Sequence, residues 1–201
     1  MMKKITALGL ILLLLILTAC SSAMSSNNIN PMPKVNIKNE AQTSKDSLES
    51  KFAFLSSSNT NFCAGPAFIS QKSDDERLQG SCCSAMDFHR YKEQVEGLKK
   101  YSNIKQIPSD PYDIPVSLAK ELLSYKDNIK LTSEQQEVYD KATKLSHEKG
   151  PCCCVCWRWH AFEGLAKYII KEHNFNAQQV AEVWDLIDGC GGKSHIDGMH
   201  A

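Results

Sequence analysis

The sequence lacks an excess of charge of either sign, because 23 basic side chains balance 23 acidic ones over 201 residues. This balance excludes a strongly basic nucleic-acid-binding surface over the chain as a whole, so we expect no nucleic-acid partner. Charged residues make up 23% of the chain and hydrophobic residues 42%, which is ordinary for a folded globular protein and excludes disorder of the whole chain. The length suits one domain and a tail.

The motifs of several familiar enzymes are also absent. The sequence contains no Gly-rich phosphate-binding loop and no Gly-x-Ser-x-Gly nucleophile elbow. It contains no Cys-x-x-Cys-His, so covalent attachment of a c-type haem is not supported. No stretch alternates convincingly between apolar and polar residues, which excludes a domain built mainly of half-buried strands. The sequence therefore names no reaction, and we favour a non-enzymatic role.

The longest apolar run lies at the N-terminus and covers residues 5–17, just after two lysines. It is shorter than the roughly 20 residues that span a bilayer, and it has the length of the hydrophobic region of a signal peptide. The run ends in Leu-Thr-Ala-Cys, which resembles a bacterial lipobox with Cys20 as its cysteine. The resemblance implies that residues 1–19 are removed and that Cys20 is acylated. An ordinary secretory signal is the alternative.

A lipid anchor would set the location of the mature protein. Two or three acyl chains hold a protein firmly on a membrane, whereas one gives only marginal binding. We therefore expect the protein on the extracytoplasmic face of the cell membrane, or on an outer membrane if the cell has one. Residues 20–51 are mostly Ser, Asn, Lys and Gln with little apolar content, which predicts a lipidated, flexible tether.

The remaining residues, 52–201, predict a single Cys-rich, all-α domain of about five helices. Residues 56–80 predict loops and a short helix. Beyond them, apolar residues recur at steps of three and four, as on one face of a helix. Thr132 begins a sequence typical of a capping box. The predicted helices begin near Ser84, at Val116, after Thr132, near Trp157, and after Asn174 or Asn176.

The nine cysteines are the unusual feature of the composition. Disulfides persist outside the cytoplasm, but adjacent Cα atoms lie about 3.8 Å apart, below the 4.4–6.8 Å range usual for a disulfide. Consecutive cysteines would therefore need separate partners. Four cysteines in residues 152–156 instead favour a soft cation, around which several thiolates converge at about 2.3 Å.

Helical spacing suggests which side chains share a site. If a helix starts near Cys152, then Cys152, Cys156 and His160 lie on one face. A second stripe begins at Cys82 and adds a thioether and an imidazole. Thiolate, thioether and imidazole together favour copper(I), with zinc(II) second, because thioethers suit zinc poorly. The candidate ligands are Cys152, Cys153, Cys154, Cys156, Cys82, Cys83, Cys190, His160, Met86 and His89.

Residues 151–156 read Pro-Cys-Cys-Cys-Val-Cys, which resembles the Pro-Cys-Tyr-Cys-Gly-Cys signature of a family of bacterial lipoproteins known by that motif. Four of the six positions match, whereas Cys153 replaces tyrosine and Val155 replaces glycine. The lipobox and the polar tether are also similar, but the Gly-His-Lys-Ser segment expected soon after the motif is absent. The resemblance implies an exported helical lipoprotein with a cysteine cluster and adds little about activity.

Three functions follow from these patterns. We favour a membrane-anchored carrier or buffer for a soft metal ion, which would pass the ion by thiolate exchange, with a partner protein as a possible donor or acceptor. The first alternative is a disulfide-stapled interaction module in which Trp157 and Trp159 line a groove. The second is a thiol–disulfide oxidoreductase that uses Cys153 and Cys156 at the start of a helix, where the positive end of the helix dipole lowers thiol pKa values.

Overall fold

The protein folds as a helical domain with one very short sheet, as seen in a computed structural model that describes residues 37–192. Residues 1–36, which include the predicted signal sequence and Cys20, and residues 193–201 lie outside the described residues. The α-helices are α1 (Ile37–Ser57), α2 (Ala67–Ser70), α3 (Phe88–Leu98), α4 (Val116–Asn128), α5 (Ser133–Leu145), α6 (Trp157–His173) and α7 (Ala177–Ile187). The all-α prediction is confirmed, although the described residues contain seven helices rather than about five.

Local capping signals set several helix ends where the sequence predicted them. The Thr132 hydroxyl accepts a hydrogen bond from the Gln135 amide, and the Gln135 side chain accepts one from the Thr132 amide, so the capping box at α5 is confirmed. Asn176 and Gln179 form the same arrangement at the start of α7. Helix α6 ends at Asn174, whose φ of 53° is the left-handed conformation that commonly stops a helix.

Helix α1 corrects the predicted tether, which was expected to run from residue 20 to residue 51. The helix begins at Ile37, so residues 37–51 are helical. Its C-terminal end packs Leu55, which is fully buried, against Tyr91 and Tyr112. Leu48 and Phe52 of α1 also pack against this cluster, whereas the polar composition of residues 20–51 had favoured a tether.

The main core lies between α4 and α6, which pack closely along their length. Gly164 of α6 makes this approach possible, because a Cβ atom there would lie 2.0 Å from the Leu122 carbonyl oxygen of α4. Helix α7 joins the core through Trp184, whose indole Nε1 donates to the Phe162 carbonyl oxygen at 3.0 Å. This packing holds the start of α6 and the end of α7 at the same end of the domain.

A two-stranded antiparallel sheet connects the loops at that end. Strands β1 (Arg77–Gln79) and β2 (Asp113–Pro115) pair with Leu78 opposite Ile114, and both of these side chains are fully buried. The Gly80 amide extends the pairing by donating to the Tyr112 carbonyl oxygen at 2.9 Å. The sheet therefore fixes the course of the chain just before Cys82.

None of the helices in residues 37–192 combines the length and the apolar character needed to cross a membrane.

Candidate metal centre

Four separate segments of the chain bring eight cysteines to one end of the domain. The segment after β1 runs beside the segment after α7, since the Cys82 amide donates to the Gly189 carbonyl oxygen at 3.2 Å and the Ser84 amide donates to the Cys190 carbonyl oxygen at 2.8 Å. The loop between α1 and α2 is held at the start of α6, where the Trp157 amide donates to the Ala64 carbonyl oxygen at 2.7 Å. The fourth segment is residues 152–156, directly before α6.

Gly191 allows two of these segments to touch. Its φ is +78°, a conformation that side chains disfavour. A Cβ atom at this position would lie 2.2 Å from the Ser84 carbonyl oxygen. Only glycine therefore fits where the segment after α7 meets the segment that carries Cys82.

Asp188 fixes the loop that carries Cys190. Its Oδ1 accepts a hydrogen bond from the Cys190 amide at 3.2 Å, and its Oδ2 lies 2.7 Å from Nη2 of Arg90. Gln94 donates to the Asp188 carbonyl oxygen at 2.6 Å. These contacts are buried, so the loop position is set by α3 rather than by the loop itself.

Three of the thiols form what we call the inner thiol group: Cys82, Cys152 and Cys190. The Cys190 sulfur lies 3.4 Å from that of Cys152 and 3.8 Å from that of Cys82. Cys152 and Cys190 are 1% and 4% exposed, so this group is largely shielded from solvent. Oxygen of Asp188 and the sulfurs of Cys152 and Cys190 all lie within 4.8 Å of one another.

Three other thiols form the outer thiol group: Cys63, Cys83 and Cys154. Their sulfurs lie within 4.8 Å of one another, and those of Cys63 and Cys154 are 2.7 Å apart. Cys63 and Cys83 are exposed. The outer group is accessible from solvent, in contrast to the inner group.

The two groups are continuous. The Cys82 and Cys83 sulfurs are 3.6 Å apart, and the Cys153 sulfur lies 2.9 Å from that of Cys190 and within 4.8 Å of that of Cys154. Cys156, the eighth thiol, is buried and packs with Cys152 and Cys190. All eight cysteines of the described residues are free thiols.

This donor set fits soft metal ions. Four thiolates placed tetrahedrally at about 2.3 Å from zinc are separated from one another by roughly 3.8 Å. Three of the sulfur separations, 3.4, 3.6 and 3.8 Å, lie close to that spacing, whereas the Cys63–Cys154 and Cys153–Cys190 separations of 2.7 and 2.9 Å are shorter. Thiolates select copper(I) and zinc over the harder divalent ions. The cysteine cluster can therefore bind a soft metal ion.

Hydrogen bonds between the thiols lower the pKa values of some cysteines and raise those of others. Donation from Cys156 and Cys190 lowers the pKa of the Cys152 thiol to about 5. The hydrogen bond between Cys82 and Cys190 lowers the pKa of Cys82 to about 7, and the positive charge of Arg158 contributes. The same hydrogen bonds raise the pKa of Cys190, while burial raises that of Cys154. A thiolate is therefore available at Cys152 near neutral pH.

Residues 152–156 reach the site by a different route from the predicted one. They form a loop, and α6 begins only at Trp157 with Cys156 as its N-cap. The expectation that Cys152, Cys156 and His160 share one helical face is wrong. The loop turns back on itself, since the Cys156 amide donates to the Cys154 carbonyl oxygen at 2.8 Å, and this turn lets neighbouring sulfurs face different partners.

The candidate ligands other than cysteine do not belong to these metal-binding groups. His89 is 83% exposed and pairs with Glu93 at 3.0 Å, and Met86 packs with the apolar cluster around Leu55 and Tyr91. His160 lies on the first turn of α6, and its Nδ1 is buried without a hydrogen-bond partner in the described residues. None of the potential metal-binding groups in residues 47–192 includes a histidine.

The structure adds residues that the spacing argument did not select. Cys63 and Asp188 were not among the candidate ligands, because long-range packing places both. Trp157 is fully buried, and its Nε1 donates to Asn61 Oδ1 at 3.2 Å. It therefore lines no open groove, while Trp159 packs beside the buried cysteines.

Comparison of the chain with protein-family models, curated proteins and solved structures gives no match. The function is therefore argued from the geometry of this site.

Proposed function

We propose that this protein is a membrane-anchored, extracytoplasmic lipoprotein that binds a soft transition metal through its clustered cysteines and acts as a carrier or buffer. Copper(I) is the first expected ion and zinc(II) the second. One observation carries the proposal: seven of the eight described thiols, from four distant segments, each have another sulfur within 4.8 Å, and Cys156 packs beside them. Structural cross-linking alone gives little reason for sulfurs to gather in this way, whereas a soft ion requires several thiolates at one point.

The donor composition supports copper(I) before zinc(II). The metal-binding groups of the described residues contain sulfur and one carboxylate, that of Asp188, which is already paired with Arg90. Thiolates suit both copper(I) and zinc, and zinc also accepts mixed sets of sulfur, nitrogen and oxygen. We place copper(I) first because it is the softer of the two ions and the centre is dominated by sulfur.

The difference in exposure between the two thiol groups supports a carrier or buffer. Cys63 and Cys83 are accessible, whereas Cys152 and Cys190 are buried. An ion received at the outer thiol group can move inward by thiolate exchange, because Cys153 and the Cys82–Cys83 contact connect the groups. A partner protein with its own thiolates would deliver or remove the ion at the exposed end. Such a transfer needs no net reaction.

Metal content and thiol state, measured on one anaerobic preparation, test this proposal. Elemental mass spectrometry should find one or more copper or zinc ions per chain, and thiol titration after metal removal should find the cluster cysteines reduced. The double variant Cys152→Ser/Cys190→Ser should lose most of the metal. The matched control, Cys63→Ser/Cys83→Ser, should retain buried metal but exchange it more slowly. Metal-free protein with four intact disulfides would overturn the proposal.

The short sulfur contacts favour one alternative, a protein whose thiols form disulfides. The contacts between Cys63 and Cys154 at 2.7 Å and between Cys153 and Cys190 at 2.9 Å bring these pairs near bonding distance. In this case the protein would be a stapled interaction module, or it would exchange disulfides with a partner. Disulfide mapping of the same preparation separates these functions from metal binding, because they require these pairs to be oxidised.

The anchor is tested independently of the metal. The lipobox-like sequence ending at Cys20 and the resemblance of residues 151–156 to the Pro-Cys-Tyr-Cys-Gly-Cys lipoproteins support export and acylation. Cys20→Ser should move the protein from the membrane fraction to the soluble or secreted fraction and abolish labelling with a fatty acid. Unchanged membrane association of this variant would contradict the lipid anchor while leaving metal binding unaffected.

A further inference from the structure

Arg158 is a fully buried cation near the inner thiol group. Its Nη2 donates to the Pro111 carbonyl oxygen at 2.7 Å and its Nη1 to the Ile187 carbonyl oxygen at 3.5 Å. Among residues 47–192, the ion pairs found do not include Arg158. Its nearest polar partners are therefore neutral carbonyl groups.

A buried guanidinium needs an anion nearby. Arginine keeps its proton in proteins, and burial of an unpaired charge is costly. The Trp157 and Phe162 rings, whose centroids lie 5.0 and 5.7 Å from Arg158 Cζ, offset part of this cost. The carboxylate of Asp188, two positions before Cys190, already pairs with Arg90. The thiolates of the inner thiol group offer negative charge beside the same loop.

The guanidinium lies directly behind the loop that carries Cys190. A Cβ atom at Gly189 would lie 2.5 Å from Arg158 Cζ. The Gly189 carbonyl oxygen is 3.6 Å from the Cys82 sulfur, and Gly189 precedes Cys190 in the chain. Arg158 therefore lies beside the chain segment that carries Cys190 and that contacts the Cys82 sulfur.

We propose that Arg158 sets the charge selectivity of the inner thiol group and favours monovalent soft ions over divalent ones. This inference rests on the proposed metal-binding function. A fixed positive charge repels a divalent ion twice as strongly as a monovalent ion at the same position. Its attraction to the same number of thiolates is equal for either ion, so the extra charge of the divalent ion alone decides the difference. This effect favours copper(I) over zinc(II).

The ratio of copper(I) to zinc(II) affinity tests this role. Both affinities are measured anaerobically by competition with chelators for the wild type, Arg158→Gln and Arg158→Lys. Glutamine keeps a donor for the Pro111 carbonyl oxygen but removes the charge, so the ratio should fall about tenfold or more. Lysine keeps the charge, so the ratio should stay within about threefold of the wild type.

A purely structural role would lower both affinities of Arg158→Gln by the same factor and leave the ratio unchanged, which would overturn the inference. If Arg158→Gln does not fold, Gly189→Ala is measured in its place, because the added methyl group displaces the guanidinium. An unchanged ratio of copper(I) to zinc(II) affinity in Gly189→Ala would also overturn the inference. If the wild type binds neither ion, the proposed function itself fails. Wild-type binding with an unchanged ratio in the variants rejects only the role of Arg158.

Discussion

Arg90 of helix α3 and Asp188 at the end of helix α7 form a buried ion pair with 2.7 Å between Nη2 and Oδ2. They are 98 positions apart in the sequence. Asp188 also holds the amide of Cys190. The position of a buried thiol therefore depends on the packing of two helices that are distant in the chain.

Removing the charge of Asp188 should weaken both the fold and metal binding. Asp188→Asn leaves the Arg90 guanidinium buried without its carboxylate, and breaking a buried pair typically costs about 3–5 kcal/mol. Urea unfolding of the metal-free protein measures this loss. As a control, Glu137→Gln breaks an exposed pair with Lys141 and should cost less than about 1 kcal/mol. Equal, small losses in both variants would contradict the structural role of Asp188.

Two adjacent glycines provide a matched test of the contact between segments. Gly191 and Gly192 have similar positive φ values, 78° and 87°, so alanine at either position carries a similar backbone penalty of about 1 kcal/mol. Only the Gly191→Ala methyl group meets backbone, whereas Gly192 has open space around it. Gly191→Ala should therefore lose at least about 1 kcal/mol more stability and more metal than Gly192→Ala. Indistinguishable thermal melts and metal contents would argue against this contact.

Much of the fold could be predicted because its signals are local. Helices α4, α5 and α7 begin with recognisable entry or capping residues, and their apolar stripes have the helical period. The first part of helix α1 was assigned to the tether because its composition is polar, and its packing against Leu55, Tyr91 and Tyr112 depends on residues distant in the sequence. Strands β1 and β2 are three residues each and depend on pairing with each other, which no local pattern reveals.

The integration of α1 into the domain can be tested at Leu55. Leu55→Ala removes a fully buried side chain that packs against Tyr91 and Tyr112, and such a truncation typically costs about 2–5 kcal/mol. The control Leu145→Ala changes a leucine that is 50% exposed and should cost about 1 kcal/mol or less. The two variants are compared by chemical denaturation. A loss at Leu55 no greater than that at Leu145 would mean that α1 does not contribute to the core.

The thiolate content of the metal-free protein should depend on pH in a defined way. The pKa of Cys152 is lowered to about 5 by donation from Cys156 and Cys190, so its thiolate is present at pH 7 and is lost as the pH falls through about 5. Anaerobic ultraviolet titration of thiolate absorbance measures this step. Cys152→Ser should remove the step. A first midpoint near the usual cysteine value of about 8.5 would contradict the hydrogen-bonded arrangement.

The candidate metal site could be predicted only in part, because long-range packing brings several of its residues together. The crowding of residues 152–156 indicated that thiols would gather, and the structure joins them to Cys82, Cys83 and Cys190 as a cluster able to bind metal. Helical spacing misplaced His160 because the cysteines form a loop before α6. Cys63 and Arg158 reach the site through tertiary packing, and neither carries a local pattern that identifies its neighbours.

Anaerobic titration of the reduced, metal-free protein with copper(I) in the presence of a competing chelator tests the central claim most directly. The account predicts that the protein withdraws at least one copper ion per chain from the chelator, and that Cys152→Ser/Cys190→Ser fails to do so while remaining folded by circular dichroism. No withdrawal of copper by fully reduced wild-type protein, at any chelator concentration that leaves measurable free copper, would contradict it.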